Sequence, residues 1–123
     1  MSRTPYTDSI KTQLGVDTKT MYELQTTHGD ASPIGQCVYM IQSALWSMES
    51  AERNANKALT QIASITTTQI ANLAGNDLAF DPSWLTTHAK HAAEAGAKLN
   101  AGFQQIETFK RLLDALTTAT AAA

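Results

Sequence analysis

The sequence predicts an all-α fold: a long antiparallel helical hairpin with two short N-terminal helices packed on its open end, a three- to four-helix bundle. Two observations predict it. Apolar residues recur at steps of three and four across residues 34–74 and again across 83–116, the spacing of one helix face. Proline also stands directly behind a capping residue at Thr4-Pro5, Ser32-Pro33 and Asp81-Pro82, while Gly15, Gly29 and Gly75 fall where the patterns stop. Those are helix starts and ends.

The first short helix follows from Tyr6, Ile10 and Leu14, spaced every four residues between Pro5 and Gly15. Asp17 caps the second, with Met21, Leu24 and His28 along one side. The first long helix occupies 32–75, with the seam Ile34, Val38, Ile41, Leu45, Met48, Ala55, Leu59, Ile62 and Leu73. Glu52 and Thr66 interrupt that seam, and Ala51 and Ile65 replace them if the helix drifts towards a 3.6-residue period. The run Ile65-Thr66-Thr67-Thr68 is β-branched and a weak helix former, so a local irregularity is expected there.

The second long helix occupies 81–117 on Leu85, Ala89, Ala92, Gly96, Leu99, Phe103, Ile106, Phe109, Leu113 and Leu116. Residues 118–123 have no pattern and are expected to fray. A turn centred near Leu78 sets Ala55 opposite Phe103 and Ile62 opposite Gly96, a close crossing at Gly96. It also brings Arg53 near Glu107, and Glu49 near Lys110 and Arg111. The seam resembles a coiled coil in its alternation.

With 123 residues, one domain spanning 1–123 is expected. A net charge of −2 lacks the basic excess of a nucleic-acid binder or a membrane-surface protein, so neither partner is expected. One cysteine, Cys37, supports no disulfide framework, and no apolar run reaches the length of a membrane span. A cytoplasmic protein is the expectation.

The chemistry-bearing residues are few. His88 and His91 are one turn apart and able to approach a metal from one helix face, with Glu94 expected to point away from His88. A solvated face, with Glu94 paired to Lys90 or Lys98, is the reading taken first. A di-iron carboxylate site needs Glu-x-x-His on two helices, and only the reversed His91-x-x-Glu94 is present. Cys37 beside the seam reads as a buried, inert thiol rather than a nucleophile paired with His28. Histidine phosphotransfer domains are helical bundles of this size, but the Lys-Gly pair that typically follows their histidine is missing after His88 and His91. No phosphate loop, nucleophile elbow or carboxylate pair appears, so no enzyme and no cofactor are expected.

Tyr39 and Trp46, seven residues apart, form an aromatic flank that serves either a partner protein or the internal docking of the short helices, the latter taken first. Near the tip only two helices are present to cover Ile65, Ile70 and Trp84, so self-association as a homodimer through these residues is expected. The paired hairpin resembles the small type VII secretion substrates in architecture. Their Trp-x-Gly turn is absent: the turn reads Gly75-Asn76-Asp77-Leu78-Ala79-Phe80-Asp81-Pro82-Ser83-Trp84. That resemblance implies a secreted hairpin or a partner of such a system. The sequence itself points first to a non-enzymatic helical interaction module acting as an oligomeric scaffold, adaptor or inhibitor. A ligand- or metal-binding bundle comes second, centred on His88 and His91 or on a cavity between Phe103 and Trp46.

Overall fold

The computed structural model describes residues 3–75 and 83–122. Four helices follow in order: α1 (Pro5–Leu14), α2 (Thr18–His28), α3 (Pro33–Ala74) and α4 (Ser83–Ala122). The long helices α3 and α4 pack against each other as a hairpin, α2 packs on α3, and α1 touches both long helices. Gly75 closes α3 by donating its N–H to the Ala71 carbonyl at 3.0 Å. Leu78 and the Asp81-Pro82 start signal lie outside the described residues. No described helix is long and apolar enough to cross a membrane.

Local chemistry explains most helix ends. Ser32 Oγ accepts from the Gly35 N–H at 2.9 Å, and Asp17 Oδ2 accepts from the Thr20 hydroxyl at 2.8 Å. That bond from Thr20, assisted by backbone donors and Lys19, holds the Asp17 carboxyl below its ordinary range. The α1 end is a paired closure: Val16 N–H reaches the Lys11 carbonyl at 2.8 Å and Gly15 N–H the Thr12 carbonyl at 3.2 Å, with Gly15 left-handed at φ 69° as such a motif requires.

The start of α1 is different. Thr4 occupies the capping position, yet its side chain makes no capping bond. The cap comes from α3: Glu52 accepts from Tyr6 N–H at 2.9 Å, Thr7 N–H at 2.7 Å and Thr7 Oγ1 at 2.8 Å. Glu52 and Thr7 are both buried. A carboxylate at a helix N-terminus satisfies otherwise orphaned donors and meets the positive end of the helix dipole. Glu52, which interrupts the expected seam, is therefore the residue that fastens α1 to the hairpin.

Among the covered residues, one line on each long helix repeats in threes and fours: Ile41, Ala44, Met48, Ala51, Ala55, Ala58, Ile62, Ile65, Gln69 and Asn72 on α3, and His88, Ala92, Ala95, Leu99, Gly102, Ile106, Phe109, Leu113 and Leu116 on α4. Ala51 and Ile65 do replace Glu52 and Thr66, as the drift predicts. The register differs from expectation. Gly102, not Gly96, is the close crossing: a Cβ on Gly102 would run into Met48 Cγ, whereas a Cβ on Gly96 would meet nothing within 4 Å. Met48 fills the hole that glycine leaves.

The shifted register dissolves the expected cross-helix ion pairs. Glu107 pairs with Arg111 at 3.3 Å and Lys110 with Asp114, both within α4. The expected irregularity at 65–68 does not occur: α3 is continuous, and Thr67 and Thr68 hydroxyls donate to the Ala63 and Ser64 carbonyls at 3.1 and 3.3 Å. Residues 118–122 are also more regular than expected, with α4 helical to Ala122. Alanine is the strongest helix former, and Thr120 Oγ1 donates to the Leu116 carbonyl at 2.9 Å.

The core lies in the open half. Ile10, Val16, Met21, Ile34, Val38, Ile41, Leu45 and Met48 close with Ile106 and Leu113, and Phe103, Phe109 and Leu116 pack against them. Cys37 belongs to this core, where burial pushes its thiol up from the ordinary value.

Candidate functional site

Small side chains on the seam leave a groove along one edge of the hairpin. Its floor includes Ala51, Ala58, Ala95 and Gly102; two depressions of about 410 and 490 Å³ share Ala51, Asn54 and Lys98, so they form one continuous channel. The α3 wall carries Ser47, Ser50, Asn54, Lys57 and Gln61, each one position ahead of a seam residue. In an antiparallel pair, that offset on both helices points to the same edge. The α4 wall carries Lys98, Glu94 and His91, one position ahead of Leu99, Ala95 and Ala92, and His88 of the seam closes its end.

His88 and His91 thus face the same groove, with ring centroids 6.5 Å apart and edge-on, and Trp84 stands 6.0 Å from His88. Glu94 lines the groove as well. Among the described residues no three His, Cys, Asp or Glu side chains gather as a metal-binding group. A histidine pair supplies two of the four ligands that a structural zinc takes. Trp84 is half-buried, and its Nε1 is buried without a hydrogen-bond partner among the described residues.

The aromatic flank settles at the other end of the groove. Trp46 rims the channel, 75% exposed, and Tyr39 is 62% exposed. The short helices do not dock on this pair, which corrects the reading taken first. They cover the opposite flank of α3, where Val38, Leu45 and Glu52 are buried. Met40 and Leu112, also exposed, stand one place ahead of buried Ile41 and Leu113, the same offset as the groove walls. Sequence reasoning missed both as surface residues, although that offset is readable. The expected cavity between Phe103 and Trp46 does not form: Phe103 packs against the core, while Gly102 lies in the groove beside Trp46.

The three residues expected at a dimer interface are not equivalent. Ile70 is 63% exposed, whereas Ile65 and Trp84 are half-buried within the hairpin. Comparison with protein-family models, curated proteins and solved structures finds no match to this chain.

Proposed function

We propose that this chain is a non-enzymatic helical interaction module that binds another protein through the edge formed by Tyr39, Met40, Trp46 and Leu112. The carrying observation is the exposure of Tyr39 and Trp46 on a helix stretch without charged residues: none occurs between Asp30 and Glu49. Interface centres are enriched in Trp, Tyr and Met and depleted of charge, and aromatic anchors carry much of the affinity. The polar groove running on from Trp46 suits the hydrogen-bonding rim of such a contact. A buried free thiol at Cys37 is consistent with a reducing, cytoplasmic setting.

The test is affinity purification from the native cell with the wild-type chain and with Tyr39→Ser/Trp46→Ser. A protein recovered with the first and lost with the second, at equal helicity, supports the reading. Recovery of the same proteins by both chains contradicts it. The groove favours one second reading, a small polar ligand held by Lys57, Lys98, His88 and His91. Native mass spectrometry and elemental analysis of the purified chain decide it, through a bound species released by His88→Ala/His91→Ala.

A further inference from the structure

The groove changes chemistry along its length. At the Trp46 end its walls carry Ser47, Ser50 and Gln105, and the chain has no charged residue between Asp30 and Glu49. Towards the tip it is cationic: Lys57 and Lys98 line it with His88 and His91, and Glu94 is the single carboxylate among the described residues that do so. Neither lysine has an ion-pair partner among the described residues. One carboxylate against two ammonium groups leaves the channel positive, on a chain whose net charge is −2. The walls at Asn54, Lys57, Gln61, His91 and Lys98 are exposed, so the channel is open along its length. A small molecule is ordinarily enclosed over about 70–90% of its surface, which an open channel does not do. An extended chain fits it better, because it makes contacts in series and stays solvated on one side.

We infer that the channel receives an acidic segment of the partner protein, extended from the Trp46 edge towards the hairpin tip. The inference rests on the proposed function and adds the chemistry of the partner. Charge complementarity selects the occupant: carboxylates meet Lys98 and Lys57, while Asn54, Gln61 and the imidazoles offer hydrogen bonds. Two lysines are too few to hold a nucleic-acid backbone, whose affinity grows with each phosphate neutralised. Spacing sets the layout. Lys57 is 11 residues beyond Trp46 on α3, roughly 16 Å of helix, a distance that about five residues of extended chain span. The partner segment therefore carries an apolar anchor for the Trp46 edge, followed about five residues later by Asp or Glu.

Two measurements on the full chain test it. In amide NMR titrations at low salt, hexaglutamate should shift residues 50–61 and 88–98, and hexaglutamine should not. Lys57→Glu/Lys98→Glu should weaken hexaglutamate binding about tenfold or more through facing like charges. Helicity should be unchanged, because both side chains are exposed. Glu94→Gln removes the opposing carboxylate and should tighten binding about two- to threefold. Trp46→Ser should leave it unchanged. In affinity purification from the native cell, Lys57→Glu/Lys98→Glu should reduce recovery of the partner that the wild type retains. No shift with hexaglutamate, or shifts that survive the double charge reversal, overturn the inference. Inorganic phosphate that gives the same shifts at lower concentration overturns it in favour of a small free anion. Undiminished recovery with Lys57→Glu/Lys98→Glu, where Tyr39→Ser/Trp46→Ser loses the partner, overturns the acidic segment and leaves the aromatic edge standing. The titration reads the channel without the partner, so a failed channel and a failed edge are told apart.

Discussion

Glu52→Ala is expected to destabilise the fold by about 2–4 kcal/mol, the largest effect of any single polar substitution here. Three donors point at this carboxylate: the Tyr6 and Thr7 amides and the Thr7 hydroxyl. Alanine removes every acceptor and leaves the buried Thr7 donors unsatisfied, at about 1–3 kcal/mol for each group stranded away from water. The loss is softened if α1 undocks and its amides reach solvent, so the sum stays below the simple total. Glu52→Gln keeps one acceptor oxygen but places a donor against an amide, and about half the loss is expected. Urea denaturation measures both variants. Hydrogen exchange adds a local signature, with faster exchange in α1 while the seam between α3 and α4 stays protected. A change below about 0.5 kcal/mol, the usual range for a surface site, would show that α1 is held by its apolar contacts alone.

Gly102→Leu should cost about 1–3 kcal/mol or more, because the new side chain must enter space already filled by Met48. Met48 is fully buried and cannot swing into solvent. Gly96→Ala is the matched control. Its Cβ meets open space, so the gain in helix propensity should raise stability by about 0.5–1 kcal/mol. The opposite signs fix the register of the long helices. Adding Met48→Ala to Gly102→Leu should recover part of the loss, since a smaller neighbour makes room and the two sites are coupled. If Gly96→Ala destabilises and Gly102→Leu does not, the crossing sits at Gly96 after all.

The helix ends were legible because they depend on neighbours in sequence. Asp17, Ser32 and Gly15 act locally, through side chains or backbone within a few residues. The α1 cap was not legible, because its acceptor comes from the far side of α2 and half of α3. A lone glutamate in an apolar stripe was the visible trace of it. The register error has a similarly specific origin. Strict alternation counted back from Leu116 passes through Leu113, Phe109, Ile106, Gly102, Leu99, Ala95 and Ala92, which is the observed seam. Preferring bulky Phe103 over Gly102 moves the reading one place aside and takes Gly96 with it. A seam tolerates glycine where a long flexible partner such as Met48 fills the gap.

The choice between flanks of α3 was open for a different reason. Apolar residues stand on both sides of the seam, and the short helices could have covered either. Aliphatic Val38 and Leu45 bury fully, whereas the tyrosine and tryptophan keep large rings at the surface. That division turns one ambiguous flank into two surfaces with different chemistry. One is aromatic and opens on a polar groove; the other is aliphatic, with Glu52 as the charge that fastens α1 to it.

The claim that α3 presents a protein-binding edge is tested most directly by photo-crosslinking in the native cell. A photoreactive amino acid is placed at position 39 or 46, and at exposed Gln13 as a control. Positions 39 and 46 should each give a discrete adduct containing the same second protein, and position 13 should give none. Absence of an adduct at 39 and 46, or the same adduct from position 13, would contradict the account.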